Sequence, residues 1–363
     1  MNYISILPQQ QKFFHINFKR NSKFYPCYNH FVAEWLKMQT KELQNYLNSK
    51  KCFKLILGAN NENYDEITKL VALYCAAGCR FFDLNASKEA LLAAKKGLEL
   101  SKKEDCFLCI SVCAKNDPHL IKCKINSSLC SNCGLCKKTC LQQAIIKETT
   151  YTIEEKKCIG CKKCYSICPK KAIEQYQNNN ILNQEKLIND LKNDCDCIEF
   201  HIISDNTDKI DKNWDYLNKN FDGILSICLD RSIFSNEKLI NQLKKMISKR
   251  DKSLIMIQAD GVPMSGGNDD FKTTLQAVAT ADLILKAGLE VPVIMSGGTN
   301  SKTMALAKMC EVDVNGVAIG SYARKIVKNY IEKEDFLSNS LKNESFKSAL
   351  AIAKNLVRTV ENE

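Results

Sequence analysis

The sequence predicts an α/β protein, a (β/α)8 barrel interrupted after its third strand by a small cysteine-rich domain. Three observations carry that expectation. Apolar, strand-like runs alternate with amphipathic helical stretches, the rhythm of a βα repeat. The runs begin at residues 53, 80, 106, 197, 223, 254, 292 and 316, an ordinary βα interval everywhere except between the third and the fourth. Two copies of one cysteine ladder stand inside that long interval. Setting aside about 55 residues for them restores the spacing of a barrel, whose typical length is about 250 residues. An open doubly wound sheet of nucleotide-binding type carries G-x-G-x-x-G after its first strand. None follows here, and a count of eight favours closure.

The elements follow in order. Strand 53–57 ends in Gly58-Ala59-Asn60 and leads into a helix with Ile67, Leu70, Val71, Tyr74 and Cys75 on one face and Gly78 as its C-terminal cap. Strand 80–84 is followed by SKEALLAAKKGLEL, where Ser87 is a natural N-cap. Strand 106–113 precedes the cysteine ladders. A helix at 184–191 then leads into strand 197–203, and Ile210, Trp214 and Leu217 mark the next helix. Strands 223–229, 254–259, 292–295 and 316–319 complete the set, with a helix at 236–248 after the first of them. The division expected is a helical extension at 1–52, barrel segments at 53–124 and 177–330 around an insert at 125–176, and a helical tail at 331–363.

The chain has 363 residues, 45% of them hydrophobic, enough for a large core. Its net charge of +11, from 52 basic and 41 acidic side chains, is basic without by itself pointing to nucleic acid. The opening MNYISILPQQQKFFHINFKR has no apolar run of signal-peptide length. No later run approaches the ~20 apolar residues that span a bilayer. Twenty cysteines in such a chain read as metal-binding and cytoplasmic rather than as a secreted disulfide framework.

The ladders specify the metal. Cys130, Cys133, Cys136 and Cys140 follow C-x2-C-x2-C-x3-C, and Cys158, Cys161, Cys164 and Cys168 repeat it. In a run of this kind three closely spaced thiolates hold one [4Fe–4S] cluster and the fourth crosses to the other cluster. The expected sets are therefore Cys130, Cys133, Cys136 and Cys168 for one, and Cys158, Cys161, Cys164 and Cys140 for the second. The fourth cysteine is expected to open a short helix that makes the crossing. Pro169 follows the last cysteine as usual, whereas Leu141 occupies the matching place in the first half. Zinc ribbons need two separated pairs, and two matching quartets exceed that. The segment resembles a bacterial two-cluster ferredoxin. The remaining twelve cysteines read as small packing residues. Among them Cys75 and Cys79 fall in a helix and Cys106, Cys109 and Cys113 in a strand.

Insertion after a barrel strand places the cassette on the C-terminal face, where barrels do chemistry. VIMSGGTNSKT ends the seventh strand and VAIGSYARK the eighth. Backbone N–H groups of Gly297, Gly298, Gly320 and Ser321 can converge on one anion beside a helix N-terminus, a corner that suits FMN or another phosphate-bearing ligand. The sixth strand runs into ADGVPMSGGNDD. Asn60, Asn85, His201, Asp230, Arg231 and Asp260 are polar residues at strand ends within reach of a cavity. No Ser-His-Asp set, paired catalytic carboxylates or nucleophile elbow is present, and no catalytic residue is assigned.

FKLILGA at 53–59, the double cassette, and DGVPMSGG followed by SGGTNSKT make the chain similar to the cyanobacterial light-dependent period family over most of residues 50–325. That resemblance implies an iron–sulfur redox sensor or electron-transfer regulator, connected in the family with redox input to the circadian clock. It further implies a redox partner protein, an electron donor or acceptor, and a regulatory protein partner. A flavin- or phosphate-ligand-dependent oxidoreductase fed by the clusters is the alternative.

Overall fold

The computed structural model describes residues 26–58, 60–103, 105–113, 121–177, 184–202, 206–231, 234–262, 268–338 and 343–361. Residues 1–25 of the expected amino-terminal extension and residues 263–267 of the loop after the sixth barrel strand lie outside them. Strands β1 (Cys52–Ile56), β2 (Phe81–Asn85) and β3 (Phe107–Cys113) come first. Four short strands follow, β4 (Ile121–Ile125), β5 (Ile145–Lys147), β6 (Tyr151–Ile153) and β7 (Ile173–Gln177). Then come β8 (Cys197–Ile202), β9 (Ile224–Asp230), β10 (Ile255–Asp260), β11 (Val293–Ser296) and β12 (Gly316–Ile319).

β1, β2, β3 and β8 through β12 form a closed barrel in the order β1-β12-β11-β10-β9-β8-β3-β2, and every neighbouring pair is parallel. The expected (β/α)8 barrel is the fold. In register, Lys54 pairs with Phe81 across β1 and β2, and Glu199 with Ser226 across β8 and β9.

The helices are α1 (Pro26–Asn48), α2 (Tyr64–Ala77), α3 (Lys88–Ser101), α4 (Leu135–Thr139), α5 (Lys163–Ile167) and α6 (Gln184–Leu191). They continue as α7 (Thr207–Asn220), α8 (Asn236–Ile247), α9 (Phe271–Lys286), α10 (Thr303–Met309), α11 (Ser321–Ile331) and α12 (Glu344–Val357). Local chemistry sets their ends. The Asn63 and Ser87 side chains accept from the backbone N–H of Glu66 and Ala90 at the starts of α2 and α3, and Gly78 closes α2 at φ 108°. Cys79 therefore lies beyond the helix, and Cys106 just ahead of β3, rather than within those elements as the pattern suggested.

Strand alternation divides the interior. Outward residues such as Phe53, Leu55, Phe82, Leu84, Ile198 and Ile257 join the helices in one large apolar layer. Inward residues change character along each strand. The N-terminal end holds Phe81, Phe107, Ile224, Met256 and Ile294, closed from below by Leu43 and Leu47 of α1. Toward the C-terminal end come Asp83, Ser111, Glu199, His201, Gln258, Asp260 and Ser296, all buried. Barrel interiors are ordinarily filled by branched apolar side chains, so this polar half calls for a reason.

Residues 121–177 leave the barrel between β3 and β8. They form two antiparallel pairs, β4 with β7 and β5 with β6, and carry the short helices α4 and α5. The excursion is tied to the barrel. Asn60 Nδ2 donates to the Ile121 carbonyl at 3.1 Å, and Glu62 N–H to the Lys156 carbonyl at 3.3 Å. Lys122, wholly buried, pairs with Glu62 and donates to the Glu155 carbonyl at 2.8 Å. On the other side Lys328 of α11 bonds the Leu141 carbonyl. No helix among the described residues is long and apolar enough to cross a membrane.

Candidate functional site

The two cysteine ladders fold alike because the same backbone positions take the left-handed conformation. Asn132 and Gly134 do so in the first at φ 55° and 75°, Gly160 and Lys162 in the second at φ 70° and 60°. These residues flank the middle cysteine of each run, and such turns wind three sulfurs toward one point. Gly160 is required for a further reason. A Cβ there would fall 1.8 Å from the Ile121 carbonyl oxygen, so the second ladder is pressed against β4.

Cys140 and Cys168 each cap the end of a short helix, α4 and α5 respectively. The spacing predicts that the fourth cysteine opens such a helix, whereas it closes one. The x3 spacing is instead the last turn of a helix already under way. Cys130, Cys133, Cys136 and Cys168 line one cavity together with Ile125, Tyr151 and Ile173. Three members of one ladder and the last member of the other thus share a single hollow. Cys140 in turn lies close enough to Cys161 to act on its charge. Burial pushes the Cys136 and Cys161 thiols up, a cost that iron coordination removes by fixing the thiolate.

A ninth cysteine enters this group. Cys123, buried on β4, packs in one buried cluster with Cys136, Cys158 and Cys164. The neighbouring Cys123 thiol is the largest influence lowering Cys158, against burial. Sequence reasoning read Cys123 as packing, since no spacing ties it to either ladder; only the pairing of β4 with β7 brings it there.

The second part of the site is the barrel mouth. A cavity of about 100 Å³ is lined by Asn60, Asp83, Ser111, Glu199, His201, Gln258, Asp260, Gly297, Gly298, Gly320, Ser321 and Arg324, and also by Ile159 from within the second ladder. At about 30 Å³ per water in the liquid, that volume takes about three water molecules. Its rim holds the four expected anion-binding residues. Gly297 and Gly298 are consecutive left-handed residues, at φ 70° and 80°. A Cβ on Gly297 would meet Asp260 Oδ1 at 2.1 Å. Gly320 and Ser321 open α11, and Arg324 one turn on donates Nη1 to the Ile56 carbonyl at 2.6 Å.

Beneath the cavity lies a buried ionic network that the sequence reading missed. Lys54 Nζ is 2.8 Å from Asp83 Oδ2 and 3.0 Å from Gln258 Oε1, and it also contacts Glu199. Glu199 Oε1 accepts from Gln258 Nε2 and from His201 Nε2, each at 2.8 Å. Ser111 Oγ donates to Asp83 Oδ1 at 2.6 Å. Burial opposes charge on Lys54, but Asp83 and Glu199 outweigh it and hold the ammonium well above the usual lysine range. Burial likewise opposes Glu199, yet Lys54 and His201 bring it down to about 2. Burial, with the Glu199 charge next, raises Asp83. The result is an ionised Lys54–Glu199 pair with Asp83 as the member most ready to take a proton.

Of the strand-end candidates, Asn60, His201 and Asp260 reach the cavity. Asn85 is buried but is engaged with the Asn61 carbonyl and with Ser87 Oγ at 2.6 Å, and it faces a separate groove. Arg231 is half-buried and outside the cavity lining.

Comparison with known proteins accords with this geometry. Residues 190–359 match the family described as the Light dependent period A C-terminal domain, and residues 151–174 match the 4Fe-4S binding domain. Light dependent period A of Synechococcus elongatus is 26% identical over 295 residues, covering 77% of this chain and 82% of that protein. The resemblance to the light-dependent period family stands, and with it an iron–sulfur-binding motif. Among solved structures, a truncated 3-deoxy-D-arabino-heptulosonate 7-phosphate synthase from Thermotoga maritima is 11% identical with a TM-score of 0.40, covering 85% of each chain. A dihydrodipicolinate synthase from Oceanobacillus iheyensis is 10% identical with a TM-score of 0.38, covering 84% of this chain and 80% of that one.

Proposed function

We propose that this chain, resembling the light-dependent period family, is a cytoplasmic iron–sulfur redox sensor or electron-transfer regulator that binds two [4Fe–4S] clusters. Cys130, Cys133, Cys136 and Cys168 hold the first cluster, and Cys158, Cys161, Cys164 and Cys140 the second. The observation that carries this reading is the hollow shared by three cysteines of one ladder and the last cysteine of the other. When bound, the clusters supply one-electron redox chemistry. The protein's residues fix the thiolates, exclude water around Cys136, Cys158 and Cys164, and place Cys123 beside the second set. Electrons come from, or go to, a partner redox protein.

A second reading is favoured by Ile159. It lies between Cys158 and Gly160 in the second ladder and forms part of the barrel-mouth wall, so the second cluster would adjoin whatever the barrel binds. With FMN or another phosphate-bearing ligand at Gly297, Gly298, Gly320 and Ser321, the same chain would be an oxidoreductase.

The test is an anaerobic redox titration of reconstituted full-length protein followed by electron paramagnetic resonance. Two one-electron couples are expected, with the spectrum of two interacting reduced clusters. A single couple, or none, overturns the two-cluster assignment. A flavin radical signal beside the clusters selects the second reading.

A further inference from the structure

We propose that the cassette face around the first cluster is the docking surface for a small acidic electron-carrier protein, which exchanges one electron there. This rests on the two-cluster reading above and names the partner class that reading requires. The two cysteine sets differ in their access to solvent. Cys133 is exposed, alone among the eight, whereas Cys158 and Cys164 of the second set are buried. The second set also faces the barrel, since Ile159, between Cys158 and Cys161, lines its mouth. An electron carrier arriving from solvent therefore meets the first cluster.

The surroundings of that cluster combine exposed apolar side chains with unpaired positive charge. Leu129, Leu135 and Ile167 immediately precede Cys130, Cys136 and Cys168, and they are 53%, 38% and 44% exposed. A single exposed leucine needs no explanation, but three such side chains beside one metal centre form a patch of the kind that meets a partner. Lys138 follows Leu135 by three residues on α4, and Lys163 precedes Ile167 by four on α5. Each lysine therefore shares a helix face with its apolar neighbour. Leu135 and Lys170 line the first cluster's hollow together. Residues 121–177 carry eleven lysines against four glutamates, with no arginine or aspartate. Two clusters at about −2 each leave the segment positive. Ion pairs take up Lys122, Lys124 and Lys157. Lys137, Lys138, Lys163, Lys170 and Lys171 are exposed and have none among the described residues. A positive surface around a redox centre steers an acidic partner and raises its association rate. Electron-transfer encounters use small, transient interfaces, and a few apolar side chains within a charged rim suffice for one.

The experiment is stopped-flow mixing of reduced, anaerobically reconstituted full-length protein with oxidised flavodoxin, an acidic one-electron carrier. One electron leaves a reduced cluster, which returns from the 1+ to the 2+ state. The oxidised flavin takes it with one proton from water and becomes the neutral semiquinone, whose absorption reports the rate. That second-order rate should fall about tenfold or more between about 10 and about 150 mM salt, as the Debye length shrinks from about 30 to about 8 Å. A variant combining Lys137→Glu, Lys138→Glu, Lys163→Glu and Lys171→Glu should lose about tenfold or more at low salt, and the salt dependence with it. Leu129→Ser with Ile167→Ser should slow transfer at either salt concentration. Oxidation by hexaammineruthenium, a small cation, should not slow in any variant. Wild-type transfer that is absent or indifferent to salt overturns the proposal, as does a charge-reversed protein as fast as wild type. Binding of a DNA duplex or of anionic-lipid vesicles that the same substitutions abolish, without salt-dependent transfer to flavodoxin, assigns the surface to another polyanion and also overturns it. Iron content and cluster spectra of every sample are read first. Full clusters that hexaammineruthenium oxidises and flavodoxin does not reject only this docking surface. A chain that takes up no iron rejects the iron–sulfur reading and this surface with it.

Discussion

Replacing Lys54 by methionine tests whether the polar half of the barrel is held together by one buried cation. Lys54 is wholly buried, and the carboxylates it faces, Asp83 and Glu199, are 2% and 0% exposed. At an effective dielectric near 20, a unit-charge pair at the 2.8 Å separating Lys54 from Asp83 is worth about 6 kcal/mol before desolvation is counted. Desolvation takes back much of that. Removing one partner from a buried pair has a net cost of about 3–5 kcal/mol, because the remaining charge is left without compensation. Methionine fills nearly the same volume, so packing contributes little to the loss. We therefore expect Lys54→Met to lower the free energy of unfolding by about 3–5 kcal/mol at neutral pH, read from anaerobic urea titrations. The sign of the pH dependence follows. In the variant both carboxylates lose the ammonium, Glu199 keeping only its His201 contact, so burial drives their folded-state affinity for protons above the unfolded value. They then destabilise the protein above that unfolded value, and the deficit shrinks as protons neutralise them. The difference from wild type should accordingly narrow as pH falls from 7 toward about 5. A second variant, Lys54→Met with Glu199→Gln, should recover part of the loss. A Lys54→Met protein within about 1 kcal/mol of wild type, with no pH dependence in the difference, would refute the reasoning.

Three further outcomes are expected. Cys140→Ser should perturb the cluster held by Cys158, Cys161 and Cys164 and spare the other; resonance spectra showing damage only to the Cys130–Cys133–Cys136 centre would refute the crossing. Cys123→Ala should retain both clusters and move the midpoint potential of the second to a more negative value, since hydrogen bonds to cluster sulfur raise the potential; an unchanged potential would return Cys123 to simple packing. Gly298→Val should abolish binding of phosphate compounds, since a β-branched residue is strained at φ 80° and its side chain crowds the rim, while the cluster spectrum stays intact. Undiminished binding would leave the glycine pair as turn chemistry.

The barrel was legible because its strands are short apolar runs separated by helices of ordinary length, and because local signals such as Asn63, Ser87 and Gly78 act through their own backbone. The insertion point was legible from one anomalous interval. The ionic network went unread because Lys54, Asp83 and Glu199 each sit in the middle of a run that looks uniformly buried. A signal was nonetheless available. A charged side chain at the inward position of a central parallel strand is rarely found without a partner, and three such strands imply partners for one another. Cys123 had no such signal, since its place among the second set arises from strand pairing between residues far apart in sequence. The helix polarity at Cys140 and Cys168 was misjudged for a local reason. C-x3-C fits either end of a helical turn, and the left-handed residues at 134 and 162 that decide which end are glycine in one ladder and lysine in the other.

The central claim is that one chain carries two clusters beside a barrel mouth, and metal stoichiometry tests it most directly. Iron and acid-labile sulfide should be measured per chain after anaerobic reconstitution of the full-length protein, with protein quantified by amino-acid analysis. The account predicts about eight of each. About four of each would contradict the two-cluster assignment, and bound zinc with no labile sulfide would contradict the iron–sulfur reading altogether.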